Sequence, residues 1–152
     1  MKTIKIVHSI AFLLILLFVY AAISKLVDYH VFRMQLHRSP LLAFAAPFVA
    51  WFIPVLELFI STLLVFEPTR LKGLYASILL LSLFTFYLIA MLCFSPYIPC
   101  SCGGILQGLS WKTHILFNLV FIALCIIAIV KWQDQYNLKT EPNDEIRISS
   151  SL

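Results

Sequence analysis

The chain has 152 residues, of which 62% are hydrophobic and only 12% charged. Soluble domains run nearer half apolar and a quarter charged, so a water-soluble fold of this length is excluded and one integral membrane domain, with the lipid bilayer as its main partner, is implied. The net charge of +4 is not a nucleic-acid footprint. The basic residues stand singly at the ends of apolar runs and form no cluster able to track a phosphate backbone; in a membrane protein they set orientation.

Residues 1–5 are polar and basic, and Ile6 to Ser24 carries no Asp, Glu, Lys or Arg. This pattern resembles a signal peptide, but the run is long for one. Val19-Tyr20-Ala21 also lacks the small first residue of a cleavage site. An uncleaved first span, about 6–25, is expected. Between 25 and 40, charged residues alternate with Tyr29, Phe32 and Leu36, which recur at helical spacing. That pattern predicts a short amphipathic interfacial helix; a solvated connector is the plainer alternative. Ser39-Pro40 marks a new start. The second span, about 41–66, contains Pro47, Pro54 and Glu57, whose spacing puts them on one face, expected to look into the bundle. Glu67-Pro68-Thr69-Arg70 reads as a turn, and the third span covers about 73–94. Residues 95–110 form a loop. Ser110 and Trp111 open a fourth span, about 112–132, with Trp111 suited to the aromatic belt. Residues 133–152 read as a polar, disordered tail. The expected fold is an all-α, four-span membrane bundle.

Four spans put both termini on one side. That side collects seven basic residues, Lys2, Lys5, Arg70, Lys72, Lys131, Lys139 and Arg147; the other has four, Lys25, Arg33, Arg38 and Lys112. The positive-inside rule then predicts cytoplasmic termini and an outward-facing 95–110 loop. In a bacterial inner membrane that loop meets the periplasm, where disulfides persist.

The loop holds Pro99-Cys100-Ser101-Cys102-Gly103-Gly104. A thiol pair exchanges electrons through a mixed disulfide. Two cysteines one residue apart close only a small ring, of the strained and reducible kind, and the glycines admit a close partner chain. A static disulfide, metal ligation and two unpaired thiols are the alternatives. A metal reading would add His114 and Cys93, but Cys-x-Cys plus a His twelve residues on supplies at most three ligands from the loop region and lacks the doubled Cys-x-x-Cys spacing of structural zinc sites, so no metal is assigned. Cys93 lies within about one turn of the outer end of its span, near the loop's depth; relay thiol and buried bystander are both open. Cys125 lies about 20 Å down the fourth span and reads as packing.

Trp111, His114 and Asn118 share one helix face beneath the loop. His114 is a candidate proton donor or acceptor for a thiolate or a quinone head group; an ordinary interfacial histidine is the plainer reading. Glu57 falls near mid-membrane, where a carboxylate is a functional candidate by default. Thr85, Tyr87 or a water pocket could satisfy it. Depth counting sets Lys25 roughly 20 Å away in height and argues against a pair, unless the first helix stays embedded beyond Lys25. Trp111 and Glu57 are thus the candidate contacts for a quinone or another small molecule.

Tyr20-Ala21-Ala22-Ile23-Ser24-Lys25-Leu26 with Asp28 resembles the end of the first helix in DoxX-like membrane proteins. Pro54-x-x-Glu57-Leu58, with Arg70 behind it, resembles their second. Pro99-Cys100-Ser101-Cys102-Gly103-Gly104-Ile105, Leu109-Ser110-Trp111, His114 and Asn118 resemble the MauE branch of that superfamily, and the likeness spans about 6–130. It implies a four-helix membrane protein of redox maturation, working beside a periplasmic thioredoxin-like partner; MauE itself is tied to methylamine dehydrogenase, whose small subunit is rich in disulfides. Four-helix quinone-linked oxidases such as DsbB and the vitamin K epoxide reductases use two exposed cysteine pairs. This chain has one, so the resemblance implies half of a relay, completed by Cys93 or a partner. Three functions follow as expectations: a thiol–disulfide electron carrier acting through Cys100, Cys102 and His114; a non-enzymatic assembly or anchoring subunit with a static bridge; and a quinone or small-molecule site centred on Glu57.

Overall fold

Four helices long and apolar enough to cross a bilayer dominate the computed structural model: Lys5–Val27, Ala43–Val65, Glu67–Cys93 and Lys112–Asp134, of 23 to 27 residues each. At about 1.5 Å per residue, each exceeds a hydrocarbon core of about 30 Å. The structure describes residues 2–39, 42–94 and 111–149, with side chains described for 5–39, 42–93 and 112–134. The helices are α1 (Lys2–Val27), α2 (Tyr29–Arg38), α3 (Ala46–Val65, after a 3-10 turn at Ala43–Ala45), α4 (Arg70–Phe94) and α5 (Trp111–Ser149). The all-α four-span architecture expected from the sequence is therefore observed. α5 runs as one helix through most of the polar segment read above as a disordered tail.

α1 packs on α3 and α5, and α4 packs on the same two helices, so α1 and α4 are nearly diagonal in a four-helix ring. Leu14, Phe18, Ile60, Leu64, Leu74, Leu81, Cys125 and Ala128 fill its centre. Cys125 is fully buried there, which fits its reading as a small core hydrophobe. The large apolar side chains left exposed, among them Phe12, Phe59, Leu79, Phe86 and Leu116, form the outer surface that a bilayer covers.

α2 has the amphipathic pattern expected of it, but its apolar side meets protein. Phe32 and Leu36 are buried against Ala46 and Ala50 of α3. The small alanines let the two helices approach, and Ser39 at the end of α2 donates to the sulfur of Met91 on α4 at 3.4 Å. The expectation for the prolines divides. Pro54 is buried inside α3 as predicted, whereas Pro47 is exposed in the first turn. There its missing N–H costs nothing, because the first turn has no intrahelical partner for that donor, and it need not face the bundle.

At the end of the bundle where α3 turns into α4, the last carbonyls of α3 are met by the turn itself. Thr69 Oγ1 donates to Leu63 O at 2.9 Å, Arg70 Nε to Leu64 O at 3.1 Å and Arg70 Nη2 to Val65 O at 3.2 Å. Helix C-termini leave such carbonyls without partners, and a membrane offers no water to replace them. Arg70 Nη1 also lies 3.0 Å from His8 Nε2, which ties in the start of α1.

Gly73 sets the α3–α4 approach. A Cβ built on it would lie 3.0 Å from Leu64 Cδ2 and 3.1 Å from the Leu64 backbone nitrogen. Leu64 is fully buried, and its backbone nitrogen is part of the α3 helix. Gly73→Val should therefore destabilise the bundle by about 1–3 kcal/mol through overpacking. Thermal unfolding in detergent checks this, and an unchanged midpoint would show that the helices separate at no cost.

Candidate functional site

Each helical side chain leans toward the N-terminus of its own helix. α1 and α3 run in opposite directions, so Lys25, near the end of α1, leans back into the bundle. Glu57 on α3 leans toward the end where Lys25 sits. They meet: Lys25 Nζ donates to Glu57 Oε1 at 2.7 Å, with both residues only 5% exposed. Lys25 Nζ also donates to Ala21 O, one turn back, at 3.3 Å. This corrects the depth count, which treated Lys25 as the surface end of a span. In fact the chain stays packed beyond it, with α2 folded over α3 and Phe32 placing its ring 6.0 Å from Lys25 Nζ. Thr85 is not the partner of Glu57, because its hydroxyl donates to Leu81 O of its own helix at 2.7 Å.

The ion pair borders a cavity of about 50 Å³ between α1, α3, α4 and α5. His114 and Asn118, one turn apart on α5, contribute the other polar groups; they are 7% and 4% exposed. Phe84 links the two sides, with its ring centroid 5.9 Å from Lys25 Nζ and 6.1 Å from the His114 ring. Two buried polar atoms at this cavity have no hydrogen-bond partner among the described residues: Glu57 Oε2 and Asn118 Nδ2. Buried polar atoms are nearly always satisfied, and both of these belong to residues that line the cavity.

Of the residues singled out from sequence, Glu57, His114 and Asn118 thus converge on one cavity. Trp111 opens α5, but its side chain lies outside the described residues, as do Cys100 and Cys102 altogether. Cys93 is an exposed free thiol one residue before the end of α4. Sequence reasoning weighed Lys25 as the partner of Glu57 but set it too far away in height, and it missed Phe84. The available signal was the amphipathic pattern at Tyr29, Phe32 and Leu36, which shows that the chain stays packed after Lys25.

Bundle and cavity together define a multi-pass helical membrane protein with a charge-paired polar site inside its spans. The family model of the methylamine utilisation protein MauE matches residues 3–131, and the chain belongs to that family, as the likeness over about 6–130 had implied. Comparison with curated proteins and with solved structures gave no match.

Removing one member of a buried ion pair leaves the other charge uncompensated, typically at a cost of about 3–5 kcal/mol, whereas replacing both by apolar residues is often neutral. Lys25→Met should accordingly unfold well below the parent protein, and Lys25→Met combined with Glu57→Leu should recover most of the loss. A double-mutant cycle by thermal unfolding measures the coupling; independent, additive effects would mean the pair does not hold α1 to α3.

Proposed function

We propose that this MauE-family protein is a membrane thiol–disulfide carrier that exchanges electrons with a periplasmic thioredoxin-like protein through Cys100 and Cys102. The observation that carries the reading is the Cys100-Ser101-Cys102-Gly103-Gly104 motif, in the segment joining the end of α4 to the start of α5. Two further observations support it. The segment lies within the family match, and His114, one turn into α5, is a proton-exchanging side chain close behind it in the chain. Excess basic charge at the other end of the bundle favours cytoplasmic termini and a periplasmic motif in a bacterial inner membrane.

The exchange balances within the two proteins. One thiolate of the pair attacks the partner's disulfide, forming a mixed disulfide and releasing one partner thiolate. The second thiolate of the pair then attacks the mixed disulfide, closing Cys100–Cys102 and releasing the other partner thiolate. Two thiols are oxidised, one disulfide is reduced, and no outside oxidant is consumed. The reverse sequence reduces Cys100–Cys102 instead.

Acid quenching and thiol trapping test this in cells. The pair should shift between oxidised and reduced forms when the thioredoxin-like partner is deleted, and Cys100→Ser or Cys102→Ser should accumulate a mixed disulfide with it. A pair that stays in one state in both strains sinks the carrier reading in favour of a static bridge or idle thiols. Alkaline phosphatase fused after Gly104 should be active, and an inactive fusion would reverse the orientation.

A further inference from the structure

We propose that the exposed side of α2 binds an anionic phospholipid, with the acyl chain along Val27, Val31 and Met34 and the phosphate held by Arg33, His37 and Arg38.

The arrangement of side chains around α2 comes first. Phe32 and Leu36 occupy the side that packs on α3. Asp28 N donates to Ser24 O at 3.2 Å and Phe32 N to Asp28 O at 2.9 Å, so helical bonding carries over from α1 into α2. Val27, Val31, Met34 and Arg38 then follow at four-, three- and four-residue steps and share one stripe, turned away from α3. All four are exposed, Val27 by 77% and Met34 by 55%. Arg33 and His37, also exposed and one turn apart, form a row beside the stripe. The surface is therefore apolar where α2 begins and basic where it ends.

Height comes second. Tyr29 lies beside Trp51, with ring centroids 6.5 Å apart, and Phe32 and Leu36 meet Ala46 and Ala50. α2 thus runs alongside the first turns of α3, and the second span begins at Ala43. The apolar end of the stripe lies at the depth of that span. The basic end is level with its boundary, where hydrocarbon gives way to headgroups. Trp51, 59% exposed, sits at the same level, as interfacial aromatic residues do.

Charge comes third. Among the described residues no carboxylate pairs with Arg33, His37 or Arg38. A phosphodiester supplies the missing anion, and a guanidinium can hold it by two parallel hydrogen bonds. Basic residues in a last helical turn also offset the helix dipole, but that accounts for neither Arg33 nor the apolar stripe. A soluble acidic partner would meet the basic end and leave Val27 and Val31, at span depth, uncovered. A phospholipid covers both ends with one molecule. This surface needs nothing from Cys100 or Cys102, so it stands or falls separately from thiol exchange.

The test uses the full chain with Trp111→Phe and Trp132→Phe, which leaves Trp51 as a fluorophore beside α2. It is placed in nanodiscs of phosphatidylcholine with increasing brominated phosphatidylglycerol, and the reverse labelling is run in parallel. Bromine quenches only a nearby ring, so quenching reports which lipid occupies the surface. Phosphatidylglycerol should be preferred about tenfold or more. Arg33→Gln and Arg38→Gln should each lower the preference about fivefold, the scale of one basic residue at an anionic membrane surface, and Lys112→Gln on α5 should not change it. Should the arginine variants fail to fold, salt provides the second measurement. At about 1 M sodium chloride the parent's preference should collapse, because exposed charges are then screened. Equal quenching by the two lipids, a preference that survives the folded double variant or high salt, or one lost as readily in Lys112→Gln would each overturn the assignment.

Discussion

The structure depends on a buried ion pair between two helices that cross the membrane in opposite directions. A lone Lys or Glu among apolar helices is costly. Together, Lys25 and Glu57 compensate each other at 2.7 Å and fix the register of α1 against α3. Burying Lys25 costs it hydration, and the elements at that end of the bundle enclose and compensate it. α2 folds over rather than floating free, the small residues Ala46 and Ala50 admit it, and Phe32 and Phe84 flank the ammonium group at 6.0 and 5.9 Å.

The two ends of the bundle treat polar atoms differently. Where α3 turns into α4, Thr69 and Arg70 satisfy the carbonyls of Leu63, Leu64 and Val65, and Arg70 reaches His8 as well. Beside the ion pair, Glu57 Oε2 and Asn118 Nδ2 are left without partners. An unsatisfied buried polar group costs about 1–3 kcal/mol. Here two such atoms belong to residues that line one cavity, in a fold that saturates its helix end elsewhere.

The spans were legible because a bilayer demands about twenty apolar residues in a row, and, Glu57 apart, the sequence carries its charged residues only at the ends of its apolar runs. The cysteine–glycine motif, with His114 and Asn118 behind it, was specific enough to point to the family. Glu57 stood out because carboxylates are rare at that depth. The Lys25–Glu57 contact was not legible, because depth counting measures backbone height. It ignores two long side chains that lean toward each other from antiparallel helices, and it ends the first span at Lys25 although α2 continues the packing. Pro47 misled for a related reason: helical spacing gives it the same face as Pro54 and Glu57 but does not say what covers that face, and in the first turn of α3 Pro47 is exposed.

The inward stripe of α5 shows how one helix divides the bundle into two halves. His114 and Asn118 come first, and Cys125 and Ala128 follow on the same face. The stripe is polar where α5 begins and apolar further along. The facing helices follow the same gradient: Lys25 and Glu57 lie toward the end where α5 begins, while Leu14, Leu64 and Leu74 pack at the other. Apolar packing dominates one half of the bundle. The other half keeps four polar side chains around a cavity, at the end where α4 stops and α5 starts. The cavity therefore lies toward the end of the bundle where α5 begins, because the inward stripe of α5 is polar over its first two turns.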